Sequence, residues 1–263
     1  MEGECAVLTQ SQITHSKYGY ARPSDKDEKG SVACLRGACA TCSQRHRTFC
    51  AALPARALEE LAENRREITI DAGQTLFEQG EPAEHMFLVT AGNAKFYSLL
   101  PDGRCLVHGF AGPGDHLGLS VNGAYAYFAT ALTRFSVCRF ELDFMETLYD
   151  RYNGVAKRLL SVMSNELVVA QNQVLTLGRK TALGKVASFL MMMRDKTIAE
   201  GEVGRRIYLA MSRADIADFL GMTTETVSRT LGLLEEQGII EKDGRRAIIC
   251  HDPDKLAEIA EEG

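Results

Sequence analysis

Glycine-bearing turns punctuate residues 65–138 at intervals of about 8–12 residues, whereas from Phe144 to Leu177 there is no proline and one glycine, Gly154. Such a chain cannot be one uniform architecture. Its first stretch turns back too often for long helices, and its second contains almost nothing to stop one. The turns carry Ala72-Gly73, Gln79-Gly80, Ala91-Gly92, Pro101-Asp102-Gly103 and Gly112-Pro113-Gly114. Between them run Ile68-Thr69-Ile70, Met86 to Val89, Ala94 to Tyr97, Cys105-Leu106-Val107 and Phe135-Ser136-Val137. Short apolar runs so divided imply an antiparallel sandwich or jelly roll, a β-roll.

In the helical stretch Leu159, Met163, Leu167, Ala170, Val174 and Leu177 recur at steps of 4, 4, 3, 4 and 3. That is the stripe of a coiled-coil seam. A helix lying on its own domain would also show an apolar face. This one is long and joins two differently patterned regions, which favours pairing with the same helix of a second copy, a homodimer. Glu166 is the nearest charge beside the stripe. From Arg179 onward the pattern is helical again, and Lys242-Asp243-Gly244-Arg245 marks a tight hairpin between Ile239-Ile240 and Ala247-Ile248-Ile249.

Residues 212–238 read as two helices joined by a turn. Ser212 is placed to cap the first, with Asp215 three residues on to close a capping box. Gly221 ends it and Thr223 or Thr224 caps the second. Val227, Leu231 and Leu234 face inward at spacings of 4 and 3. Small Ala217, Gly221 and apolar Val227 let the helices cross closely. Such pairs are common, so the exposed face decides the reading. Glu225, Ser228 and Arg229 stand at i, i+3 and i+4 on the first turns of the second helix, the end that enters a major groove. Arg suits guanine, Glu accepts from cytosine, and Ser adapts to either. Arg205, Arg206, Arg213, Lys242, Arg245 and Arg246 surround the unit, the last three at the hairpin tip where a wing meets phosphate. Double-stranded DNA is the implied partner.

The chain has 263 residues, 30 basic and 35 acidic, for a net charge of −5. This discourages indiscriminate nucleic-acid binding but permits a local basic surface. No apolar run is long enough to cross a membrane, and the acidic start Met-Glu-Gly-Glu-Cys is unlike a secretory signal. The expected location is cytoplasmic. Eight cysteines there should not be disulfides. Cys39-x2-Cys42-x7-Cys50 offers three thiolates in one short segment, suited to zinc or an iron–sulfur cluster. Cys34, Cys105 and Cys138 are all open as a fourth ligand. Arg45 and Arg47 are expected to lower the thiol pKa values, and His46 between them reads as a solvated loop residue. Cys5, Cys105 and Cys250 read otherwise as small hydrophobes or surface thiols. No enzyme motif stands out.

The organisation is therefore α+β. Residues 1–33 form a flexible N-terminal segment, 34–143 the cysteine segment and β-roll, 144–178 the dimerisation helix, and 179–263 a winged helix-turn-helix. From about residue 34 to its end the chain resembles the CRP/FNR superfamily of bacterial transcription regulators. Thr224-Glu225-Thr226-Val227-Ser228-Arg229 is similar to the Glu-x-x-Ser-Arg reading motif of the FNR branch. The cyclic-AMP receptor branch has Arg at the place of Thr224 and Gly at that of Ser228. The resemblance implies a TTGAT…ATCAA palindrome read by Glu225, Ser228 and Arg229, with Thr224, Thr226 and Arg213 beside them.

The resemblance also implies an oxygen-responsive regulator of anaerobic or microaerobic genes. Its 4Fe-4S cluster would be held by Cys39, Cys42, Cys50 and, late in the β-roll, Cys138, with Cys34 an ambiguous neighbour. The Cys-x2-Cys-x7-Cys spacing looks like the FnrL/FnrN-type subgroup. A structural zinc site on a constitutive regulator, or a thiol-redox sensor using Cys34, is the alternative. No cyclic nucleotide is expected, because Leu119 and Tyr125 stand at roughly the places where the nucleotide-binding branch carries its Glu and Arg. In a haem-binding variant His85, His108 or His116 would be the axial ligand, and each reads instead as a surface or turn histidine. RNA polymerase is the further partner implied, with the Asp102-Gly103 turn as its contact by analogy.

Overall fold

The structure is a computed structural model that describes Cys39 and residues 41–118, 120–199 and 205–262. The N-terminal segment, Cys5, Cys34 and Leu119 lie outside the described residues.

The five expected runs all form strands, and five short strands join them. In chain order they are β1 (Arg66–Ile70), β2 (Thr75–Phe77), β3 (His85–Ala91), β4 (Ala94–Leu99), β5 (Cys105–Ala111), β6 (His116–Leu117), β7 (Ser120–Val121), β8 (Ala124–Tyr125), β9 (Phe128–Ala131) and β10 (Phe135–Glu141), the expected runs being β1, β3, β4, β5 and β10. Among the described residues they make two antiparallel sheets, ordered β1-β10-β3-β6 and β2-β9-β4-β5, and a β7–β8 hairpin. The inward faces close over Phe77, Phe87, Val89, Phe135 and Val137, with Phe77 stacked on Tyr125 at 4.1 Å. Gly92 is obligatory in its turn. Its φ is +77°, and a Cβ there would lie 2.1 Å from the Arg134 carbonyl oxygen.

Short 3-10 turns at Arg45–Arg47 and Phe49–Ala52 lead into α1 (Ala55–Asn64), a helix not anticipated from the sequence. Ala57, Leu58 and Leu61 form its buried face. They join Phe49, Cys50, Cys138, Phe140, Met145, Leu148 and Val155 in one apolar cluster behind the β1-β10-β3-β6 sheet.

The stretch read as one helical run is two helices, α2 (Leu142–Arg151) and α3 (Asn153–Arg179). The break is Tyr152, at φ −127° and ψ 84°, whose N–H still closes α2 by donating to the Leu148 carbonyl. This corner buries Val155 completely against the Phe49–Ala52 turn. The stripe is also divided. Leu167 and Val174 are 60% and 69% exposed, whereas Met163 and Leu177 are half-buried and, with Ala170 and Val174, line a cavity of their own chain. Leu160, Val168 and Leu175 join the exposed side.

Beyond α3 come α4 (Ala182–Ala199), β11 (Arg206–Tyr208), α5 (Arg213–Leu220), α6 (Thr224–Glu236), β12 (Ile240–Lys242), β13 (Ala247–Cys250) and α7 (Pro253–Glu261). The expected hairpin is present, and β11 adds a strand to it in the order β11-β13-β12. This is a winged helix-turn-helix, and the whole is the α+β fold expected. The two halves are packed together. Val107 and Phe110 of β5 belong to the same buried cluster as Phe189, Phe219, Leu220 and Val227. Phe110 lies 6.1 Å from Phe189 and 5.4 Å from Phe219, ring to ring. Lys196 of α4 reaches the Asp115 carboxylate at 2.6 Å and donates to the Phe110 carbonyl at 2.5 Å.

Candidate functional site

Local chemistry places the helix-turn-helix as the sequence implies. The Ser212 hydroxyl accepts from the Asp215 N–H at 3.1 Å, and the Asp215 carboxylate accepts from the Ser212 N–H at 2.9 Å, a complete capping box. Gly221 takes the left-handed conformation at φ 62°. Thr223 caps α6 by accepting from the Thr226 N–H. Val227, Leu231 and Leu234 are buried. That packing leaves Glu225, Ser228 and Arg229 exposed together on the first turns of α6, with Thr224 beside them. Thr226 is half-buried and its hydroxyl bonds to that of Thr223 at 2.8 Å, so it serves the cap. Arg213 is also half-buried, and burial lowers its pKa.

The basic surround is less uniform than the sequence suggests. Lys242 is paired with Glu235 at 2.6 Å and Arg206 with Asp243 at 2.9 Å. Arg245 and Arg246 are exposed at the hairpin tip and carry no ion pair among the described residues. They are the wing residues left to meet phosphate.

The second site is a corner of the β-roll where Cys39, Cys42, Cys50 and Cys138 gather. Cys50 sits in the Phe49–Ala52 turn, held by Thr48, whose hydroxyl accepts from the Cys50 N–H at 3.3 Å. Cys138 is on β10 directly opposite Glu67 of β1. Cys39, Cys50 and Cys138 are buried and Cys42 is half-buried, and all four are free thiols. Negative charge on any of Cys39, Cys42 and Cys138 would be felt at Cys50. Burial pushes the Cys50 thiol up to about 12 and raises Cys39 and Cys138 as well. This corrects the expectation that nearby arginines would lower them. Desolvation outweighs the cations.

The foremost cation here is Arg65, not Arg45 or Arg47. Its Nη1 donates to Cys138 Sγ at 3.4 Å, while Nη2 lies 3.1 Å from the Glu67 carboxylate. Sequence reading passed over it, because only the β1–β10 register reveals which of Arg65 and Arg66 meets the thiols. Among the described residues, no group of three or more His, Cys, Asp or Glu stands in an arrangement that could hold a metal ion. The donors still fit a thiolate-bound group in kind. They are soft ligands from two chain segments, near enough to influence one another and backed by a cation. Cys105 is half-buried against the domain junction and Cys250 is buried in the winged domain, as bystanders would be.

Of the histidines, His108 is exposed and bonds to Ser98 at 2.8 Å, and His46 is exposed. His116 is not a surface residue. Its ring lies 5.5 Å from that of Phe49, and Nε2 is buried with no partner among the described residues. Burial lowers its pKa to about 4. It lines, with Glu166, Lys196 and Phe219, a cavity of about 380 Å3 between β5, β6, α3, α4 and α5. Burial raises the Glu166 carboxyl there. Tyr125 is a core residue whose hydroxyl donates to the His85 carbonyl at 3.0 Å.

Comparison with known proteins agrees with this architecture. Residues 184–259 match the Crp-like helix-turn-helix domain, and residues 67–152 match the cyclic nucleotide-binding domain. The chain is 35% identical to the nitrogen fixation regulation protein FixK of Bradyrhizobium diazoefficiens, over 77% of this chain and 85% of that one. It is 33% identical to the transcriptional activator protein FnrL of Cereibacter sphaeroides, over 84% and 91%. The solved structure of FixK2 from Bradyrhizobium japonicum superposes with a TM-score of 0.71 at 34% identity, covering 76% of this chain and 98% of that one. No helix among the described residues is long and apolar enough to cross a membrane.

Proposed function

The chain belongs to the CRP/FNR superfamily as a DNA-binding transcription regulator, and on that premise we propose that it is an oxygen-responsive member. Cys39, Cys42, Cys50 and Cys138 would hold a 4Fe-4S cluster, dimerisation would run through α3, and the dimer would bind a TTGAT-type palindrome. The observation that carries this reading is the shared cluster of Cys50, Cys138 and Val155. Cys50, Cys138 and the first turn of the long helix belong to one buried unit, so a change at those two thiols is felt where α3 begins.

When bound, the cluster supplies an oxygen-labile group at that corner. The chain's own residues do the rest. Cys39, Cys50 and Cys138 must give up protons that burial now holds on them, which makes loading a deprotonating event. Cys50 and Phe49 move with the turn against which Val155 is packed. The start of α3 and its exposed face are therefore biased by the state of the cysteine loop. Glu225, Ser228 and Arg229 read base edges, Arg245 and Arg246 meet phosphate, and RNA polymerase is the protein partner of the DNA-bound dimer.

The test is anaerobic reconstitution with ferrous iron and sulfide, followed by binding to a TTGAT…ATCAA duplex before and after exposure to air. Brown protein with iron and acid-labile sulfide in equal amounts, losing colour and DNA affinity together in air, is expected. Colourless protein that holds zinc and no sulfide would overturn the cluster in favour of a structural site. Air-sensitive DNA binding without iron would favour thiol chemistry.

A further inference from the structure

We propose that Arg65 is a positioning residue for the cysteine site, joining ligands from two chain segments and setting how readily the loaded site is oxidised. The inference rests on the cluster reading above.

Arg65 is where α1 ends and β1 is about to begin. The β1–β10 register puts Glu67 opposite Cys138. Arg65, two residues before Glu67 and so on the same side of the extended chain, brings its guanidinium to the Cys138 thiol. Its side chain is only 18% exposed. One arm donates to Cys138 Sγ at 3.4 Å and the other is held by Glu67 at 3.1 Å. The planar fork is thereby locked in one orientation, which a lysine could not reproduce. Its charge also acts on Cys39 in the cysteine segment. Arg65 thus bonds to one ligand, Cys138, and places its charge near another, Cys39, from a different chain segment.

Deprotonated thiols concentrate negative charge in this buried corner, and an N–H donated to a ligating sulfur offsets it. Hydrogen bonds to sulfur and nearby positive charge disfavour removal of electrons from a thiolate-bound cluster. With dissolved oxygen as the oxidant, loss of Arg65 should make that removal easier. It should also weaken the hold on Cys138 before loading.

The experiment compares wild type, Arg65→Lys and Arg65→Gln, each reconstituted anaerobically with ferrous iron and sulfide. Iron and sulfide content, midpoint reduction potential and rate of visible bleaching in air-equilibrated buffer are measured, with circular dichroism as a check on folding. For folded Arg65→Gln we expect a more negative potential and bleaching on the order of 10-fold faster, the lower end of what loss of a hydrogen bond to a metal ligand costs. Arg65→Lys should lie between it and wild type. Arg65→Gln that loads fully, with wild-type potential and bleaching rate, would overturn the role. If Arg65→Gln does not fold, Arg65→Lys decides alone, and wild-type values for it count against the proposal. Wild type that takes up no iron and sulfide sinks the cluster reading itself, and the role of Arg65 with it.

Discussion

Lys95 Nζ on β4 of the β-roll lies 2.5 Å from Asp215 Oδ1 in the first helix of the helix-turn-helix. Asp215 also completes the α5 capping box, so one carboxylate both starts a helix and fastens it to the sensor domain. Burial alone would raise the Asp215 pKa. The bonds from Lys95 and Ser212 overcome that and hold it below its usual 3.8. A depressed carboxylate stabilises the fold above its unfolded pKa, and that stabilisation is lost as the pH falls below 3.8 through the folded value. Lys95→Met should cost about 1–3 kcal/mol in chemical unfolding and speed amide exchange in α5. Unchanged exchange there would show that the pair does not couple the domains.

His116 gives a second pH dependence in a different range. Its pKa falls from 6.5 to about 4 in the fold. Between those values the unfolded chain binds a proton that the folded one refuses, so stability declines as the pH drops through the window. The loss accumulates to on the order of 3 kcal/mol. Urea unfolding across this range should show the slope in wild type and a flatter profile in His116→Leu. Superimposable profiles would mean that the buried imidazole is not the cause.

On α6, Arg229→Ala should weaken binding to the cognate duplex by about 1–3 kcal/mol and relax selectivity at one base pair. Arg245→Ala should weaken cognate and unrelated duplexes alike and lower the salt dependence by about one phosphate contact. Fluorescence anisotropy over a salt series distinguishes the two. An Arg229→Ala loss shared equally by unrelated DNA would remove it from the reading set.

Leu160, Leu167 and Val174 are spaced by seven residues and are 67%, 60% and 69% exposed. Three large apolar side chains in line along a helix should pair with a second copy. Sedimentation of aerobic protein at micromolar concentration should show dimer, and Leu167→Lys with Val174→Lys should give monomer. A clean wild-type monomer under those conditions would show that the stripe alone is too weak.

What could be read in the sequence was local. The Ser212–Asp215 box, the Gly221 turn and the inward Val227, Leu231 and Leu234 depend on residues within a turn or two of each other. What escaped depended on distant partners. Helix α1 is short, and its apolar face is explained only by the sheet behind it. Tyr152 breaks a run whose one glycine, Gly154, gave no clear stop in the sequence, and Val155 just beyond it is drawn into the cysteine corner. Strand β11 is three residues long and exists by pairing with β13. Met163 and Leu177 fit a seam by periodicity yet face their own chain. The cysteines were countable from spacing, but Arg65 became visible only through the register of β1 on β10.

Phe110 packs against both Phe189 and Phe219, within the apolar cluster that also contains Val227 of the reading helix. A fragment beginning at Arg179 would therefore be cut through hydrophobic contacts, not around them. Two aromatic rings and the surface under α5 would face water, and such a fragment should be poorly soluble and aggregate on concentration. Grafting this reading head onto another sensor requires carrying a piece of β5 with it, or replacing Phe189 and Phe219 with polar residues that no longer need a cover.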